Sequence, residues 1–156
     1  MKNLTKTLFV VVAAAAFATA ADQPNFNGTW KLDAGKSNLG PMPPPTSMTR
    51  KIEYTDPNLT ITEARSGGPQ GDQNATMKFT TDGKETTISL FGNDAKAVAA
   101  WEGGALVIKL KASIQGNDLN LTQKWTLSDD GATLTDNWHV AAPQGEFDMV
   151  YVLTKQ

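Results

Sequence analysis

His139 is the only histidine in the 156 residues, and cysteine is absent. That narrows the available chemistry at once. A Ser-His-Asp relay needs its histidine between a nucleophile and an acid, and alternation along 132–141 puts His139 on an outward face beside Asn137. Zinc needs clustered Cys and His ligands, and the chain has no such cluster. Asp129-Asp130-Gly131 lacks the further spaced ligands and distal Glu of an EF-hand loop; its Ser-Asp-Asp-Gly chemistry is that of a hairpin turn. The Gly-rich stretch 66–71 precedes no helix, so it is no phosphate loop. No catalytic set, metal site or cofactor is expected, and the chain is read as a non-enzyme.

What remains is binding chemistry, carried by polar residues that fall where an apolar side chain is due. Arg50 lies between Met48, Ile52 and Tyr54. Glu63 and Arg65 follow Leu59 and Ile61. Gln123 lies between Leu121 and Trp125, and Asp136 between Leu134 and Trp138. Charges buried on such a face must be paired or must meet a ligand. One outcome is a self-satisfied network, with Arg50 facing Glu63 across adjacent strands and Asp136 meeting a second arginine. The other is capture of a ligand's acid group by Arg50 or Arg65, with its tail against Trp101, Trp125 and Trp138; bidentate carboxylate capture suits arginine. The candidate ligand contacts are therefore Arg50, Glu63, Arg65, Trp101, Gln123, Trp125, Asp136 and Trp138.

These residues must be positioned by strands. Thr, Val, Ile and aromatics alternate with polar residues, and the breaks carry Gly, Pro, Asp and Asn, which is the signature of short antiparallel strands. Ten are predicted, at about 27–33, 47–55, 58–65, 75–81, 84–91, 95–102, 105–113, 118–128, 132–141 and 146–154. Asp82-Gly83 reads as a type I′ hairpin pair, and the glycines at 103–104, 116, 131 and 145 read as turns. Successive hairpins give an all-β, antiparallel up-and-down meander, and closing it into a barrel of about eight to ten strands removes the exposed edges. Lys51, Lys78, Lys96, Lys109, Lys111 and Lys124 all fall on the face opposite the large apolar residues. That pattern is the reverse of a transmembrane barrel, whose outer band is apolar.

Two connections are long. Residues 33–46 contain Pro41-Met42-Pro43-Pro44-Pro45, which favours extended polyproline II and is either a strap over one barrel end or a solvated loop. Residues 66–74 read as a flexible tip. The inward series of the sixth strand, Ala95, Ala97, Ala99 and Trp101, leaves volume. The interior is then a ligand cavity, unless Trp125, Trp138, Phe79 and Met149 fill it from other strands.

The N-terminus carries Lys2 and Lys6, an apolar run from Leu8 to Phe17, and Ala18-Thr19-Ala20. This is the anatomy of a helical secretory signal peptide, with cleavage between Ala20 and Ala21. The run is shorter than the ~20 residues that span a bilayer. Residues 1–20 are the leader and 21–156 one domain. Removing the leader leaves 12 basic against 16 acidic residues, a net charge of −4. With no basic run, nucleic acid is not an expected partner. The absence of cysteine excludes a lipoprotein-type anchor at the cleavage site and points to a bacterial exported protein, periplasmic or released.

Gly28-Thr29-Trp30, the long loop after it and the run of hairpins resemble the calycins, the lipocalins and fatty-acid-binding proteins. The stretches 101–107 and 125–134, with the ending Val150-Tyr151-Val152-Leu153-Thr154-Lys155, look like small exported lipocalin-like proteins of bacteria. The resemblance covers most of the mature chain. It implies a monomeric barrel that binds a small hydrophobic or amphipathic molecule in its interior. It also implies that Gly28, Trp30 and Lys155 close the barrel, the tryptophan packing on a basic residue of the last strand. The fatty-acid-binding type inserts two helices after its first strand; the Pro-rich segment cannot, so the helical lid is missing here. The alternative function is a ligand-free structural or protein-interaction module of the bacterial cell envelope.

Overall fold

The computed structural model describes residues 23–67, 71–90 and 92–156; the leader and its cleavage junction lie outside them. Ten strands follow one another: β1 (Gly28–Leu32), β2 (Ser47–Thr55), β3 (Asn58–Ser66), β4 (Gln73–Thr80), β5 (Asp82–Leu90), β6 (Asn93–Glu102), β7 (Ala105–Ile114), β8 (Asn117–Leu127), β9 (Thr133–Ala142) and β10 (Gly145–Lys155). No strand end departs from its expected position by more than about two residues, the uncertainty usual for boundaries. The described residues contain no helix, so none is long and apolar enough to cross a membrane.

All strands belong to one antiparallel sheet in the order β4-β3-β2-β1-β10-β9-β8-β7-β6-β5. The sheet curls because β1 pairs with both β2 and the last strand, with Trp30 opposite Arg50 on one side and Lys155 on the other. The circle is nearly closed. β4 and β5 face each other without a hydrogen-bonded ladder between them.

That gap corrects the expected Asp82-Gly83 hairpin. The chain passes from β4 to β5 through Thr81 alone, whose N–H donates to the Pro57 carbonyl at 2.8 Å. Asp82 already pairs with Ala100 of β6, and the register shifts between Asp82 and Glu85. Gly83, at φ +78°, sits in that irregularity, and Lys84 N–H donates to Asp82 Oδ1 at 3.2 Å. The aspartate–glycine chemistry that suits a type I′ turn suits a bulge equally well, since both need positive φ at glycine. The pair therefore bends β5 towards β6 and leaves β4 without its neighbour.

Period-2 alternation sorts the side chains. Leu59, Ile61, Ile108, Leu110, Leu134 and Leu153 are buried, with Trp30 and Trp125 fully so. Lys51, Lys78, Lys96, Lys109, Lys111 and Lys124 are exposed. A one-residue slip in any strand would reverse this sorting, which fixes the register.

One end is sealed by aromatics. Phe26 stacks on Trp101, with centroids 5.7 Å apart, and meets Trp125 edge-on. Its carbonyl accepts from Trp30 Nε1 at 2.9 Å. The Lys155 ammonium lies 5.4 Å from the Trp30 ring centroid, within cation–π range. Gly28 lets the lysine stem pass, because a Cβ there would come 2.9 Å from Lys155 Cε.

The long loop divides the two readings given to it. Asn38 and Val150 exchange backbone hydrogen bonds of 2.8 and 2.6 Å, so the chain lies along β10 where short β1 has ended. Leu39 is buried beneath it. Beyond Leu39 the chain is solvated: Pro41 to Pro44 are exposed, and Met42 is the exposed large hydrophobic residue among the described ones.

Gly28 has φ +136°, a region that residues with a Cβ avoid. Gly28→Ala should therefore lower the unfolding free energy by about 1–3 kcal/mol, read as a fall in the urea midpoint at unchanged slope. Most of the cost is backbone strain, because the end of Lys155 can swing aside.

Candidate functional site

A cavity of about 770 Å³ opens at the end of the barrel opposite the aromatic seal. Its walls come from β2, β3 and β4 on one side and from β8 and β9 on the other, and Ser89, Leu90 and Gly92 form part of the rim. The inward series of β4 records the opening: Ala75 is exposed, Met77 half-buried and Phe79 buried. Apolar wall comes from Ile61, Met77, Leu90, Trp125 and Trp138, and polar wall from Arg50, Glu63, Arg65 and Gln123.

The charged residues form one connected set that also takes in Asp136. Arg50 and Glu63 are direct cross-strand partners on β2 and β3, and Arg50 Nε donates to Glu63 Oε2 at 2.9 Å. Arg50 Nη1 donates to Asp136 Oδ2 on β9 at 2.8 Å. The arginine stem thus reaches past β1 and β10, and its guanidinium lies 5.1 Å from the Trp125 ring centroid. Arg65 Nε donates to the other Glu63 oxygen, and its guanidinium lies 5.5 Å from the ring of Tyr151. Asp136 was expected to meet a second arginine. It shares Arg50 with Glu63 instead, because the long guanidinium fork has donors for two carboxylates.

Burial and pairing pull these groups in opposite directions. Burial pushes the Glu63 carboxyl up, but Arg50 and Arg65 outweigh it and hold it below its ordinary value. Burial wins at Asp136, which is raised despite Arg50. Burial opposes the charge on Arg50, yet Glu63 and Asp136 together raise its pKa. Tyr151 is raised by burial against the pull of Arg65. Asp136 Oδ1 and Trp138 Nε1 are buried without a well-aligned hydrogen bond, although the indole still favours the aspartate anion. Gln123 Oε1 accepts from Trp125 Nε1 at 3.2 Å, which leaves its amide nitrogen for the cavity.

Of the eight candidate contacts, Arg50, Glu63, Arg65, Gln123, Trp125 and Trp138 line this cavity, and Asp136 lies behind it, bound to Arg50. Trp101 does not line it. That indole belongs to the aromatic seal, stacked on Phe26 and donating to Tyr54 Oη at 3.3 Å. The alanines of β6 do not line it either; Ala95, Ala97 and Ala99 are buried in the core cluster. Sequence reasoning missed the rim, contributed by Gln73 to Met77 and by Ser89, Leu90 and Gly92. These residues are mostly small or polar, and no burial pattern marks them; the only signal was Ala75 on an inward face. His139 is exposed on the outer face, its Nδ1 2.8 Å from Asp148 Oδ1. No group of metal-ligating side chains exists among the described residues.

No protein-family model matches the sequence, and neither does any curated protein. Solved structures do match the fold. A zebrafish ileal bile acid-binding protein complexed with cholic acid superposes with a TM-score of 0.60 at 22% identity, covering 84% of this chain and 98% of that one. A secretory abundant heat soluble protein from Ramazzottius varieornatus gives 0.61 at 12% identity, covering 84% and 95%. A Schistosoma mansoni fatty acid binding protein in complex with arachidonic acid gives 0.54 at 13% identity, covering 84% and 96%. The chain therefore has the calycin-like fold of the fatty-acid-binding barrels, with a solvated Pro-rich loop after its first strand.

Arg50→Ala would strand Asp136 and leave Glu63 with Arg65 as its cation. It should cost about 3–5 kcal/mol in urea unfolding, more than Arg65→Ala, whose side chain is 23% exposed. The lowered Glu63 contributes stability above its unfolded pKa of about 4.3. That stability is lost as pH falls through the lower folded value. Asp136 has the opposite sign, its raised pKa making acid favour the fold. Glu63→Gln should therefore flatten the acid-side loss in a plot of urea-derived stability against pH.

Proposed function

We propose that the protein is a carrier that holds one small hydrophobic or amphipathic molecule inside its barrel and catalyses no reaction. The observation that carries this is the cavity of about 770 Å³, which is within the usual range for small-molecule sites. Its wall mixes two tryptophans and aliphatic side chains with a few fixed polar groups, the composition such sites favour. Barrels of the same fold with cholic acid and arachidonic acid in hand support the same class of ligand. The candidate contacts are Arg50, Glu63, Arg65, Gln123, Trp125 and Trp138, with Asp136 as a positioning residue for Arg50. The gap between β4 and β5 gives the ligand its way in.

The carrier is further proposed to be a bacterial exported protein that acts as a monomer in the periplasm or the medium. The N-terminal sequence, with its basic start, short apolar run and Ala18-Thr19-Ala20, supports export. The negative charge of the mature chain speaks against nucleic acid as a partner.

Native mass spectrometry of the protein purified without delipidation should show the chain starting at Ala21 with one lipid-sized adduct per monomer. Titration with the neutral dye Nile red should show one site, lost in Met77→Trp, which fills the mouth. No adduct and no dye binding would overturn the carrier reading and favour an interaction module.

A further inference from the structure

The carrier reading leaves the ligand's chemical class open, and the charges along the cavity decide it. Arg50 and Arg65 supply two positive charges, and Glu63 and Asp136 supply two negative ones, all in one connected network. The network therefore has no net charge to offer. Arg50 is 2% exposed and spends its Nε and Nη1 on carboxylates. Arg65 shares Glu63. Among the described residues of the wall, the other ionisable group is Asp72 at the rim, a further negative charge. A ligand carboxylate entering here would meet no uncompensated cation, and would leave a buried net negative charge, which is costly. An uncharged oxygen meets no such penalty. Gln123 lines the cavity with its carbonyl already engaged by Trp125, so its amide nitrogen is available to donate. Paired guanidiniums also keep unused N–H donors.

We infer that the ligand is an uncharged oxygenated amphiphile, a long-chain alcohol, ester or ketone, whose oxygen docks against Gln123 while its chain lies along Trp125, Trp138, Ile61 and Met77. This rests on the carrier reading and sharpens it. The arginines serve the barrel by crossing its lumen, and their carboxylate partners bar anions from the site.

The test is displacement of Nile red at pH 8 by a matched series: dodecan-1-ol, methyl dodecanoate and dodecanoate. The alcohol and ester should bind at least tenfold more tightly than the acid. Gln123→Leu should weaken the alcohol about fivefold, the loss of one neutral hydrogen bond. Removing one negative charge should reverse the preference: Glu63→Gln or Asp136→Asn should strengthen dodecanoate at least tenfold, with the fold checked by circular dichroism. Equal or tighter binding of dodecanoate by the unaltered protein overturns the inference and leaves the carrier reading intact. Failure of Nile red and the whole series to bind overturns the carrier reading itself. If neither charge variant folds, the comparison of acid with alcohol on the unaltered protein still decides.

Discussion

A guanidinium that is 2% exposed cannot exist in an apolar barrel without anions beside it. Arg50 has two, and their positions dictate much of the molecule. Glu63 must stand directly opposite on β3, which pins the register of the β2–β3 hairpin. Asp136 must come within 2.8 Å from β9, which pins the distance across β1 and β10. The same side chain lies over Trp125. One residue thereby ties both flanks of the sheet closure to the lumen. Such a network is weak evidence for stability, since desolvation offsets much of the attraction. Its effect is on specificity, because any register that separates the charges leaves one of them buried alone.

The two ends of the barrel differ for the same kind of reason. At one end the lumen is closed by rings: Phe26, Trp30, Trp101 and Trp125, with Lys155 over Trp30 and Tyr54 against Trp101. At the other, β4 ends its apolar series early and stands apart from β5, so the wall is thin and polar. A cavity forms at that end because the described rim residues, Ala75 among them, are mostly small or polar and leave the mouth between the tryptophans and arginines unfilled. The short first strand leaves a space beside β10, and residues up to Leu39 fill it. The prolines beyond Leu39 then have nothing apolar left to cover.

Much of the architecture was legible in the chain. Alternation and turn residues placed ten strands, and the lysines fixed which face looks out. Those signals are local: a strand's faces follow from its own period, and a lysine inside would cost more than any turn preference. Gly28, Trp30 and Lys155 were grouped by the resemblance to the calycins, and the pairing of β1 with β10 brings them together. The polar exceptions Arg50, Glu63, Arg65, Gln123 and Asp136 stood out locally, each breaking an apolar series.

The sequence by itself determined the strand set, the orientation of every face and the identity of the misplaced polar residues, because each of these is settled within one strand. Arg50 facing Glu63 followed from the hairpin that joins their strands, but only the tertiary structure decided the contacts between strands that are not hairpin neighbours. Asp136 met Arg50 instead of a second arginine because curvature brought β9 within reach of a side chain on β2. Asp82-Gly83 became a bulge because β5 found its partner in β6 and none in β4. Trp101 joined the seal because β6 delivers its end to the closed side, where Phe26 waits. Those outcomes depend on distances across a curved sheet, and alternation along a single strand carries no information about curvature.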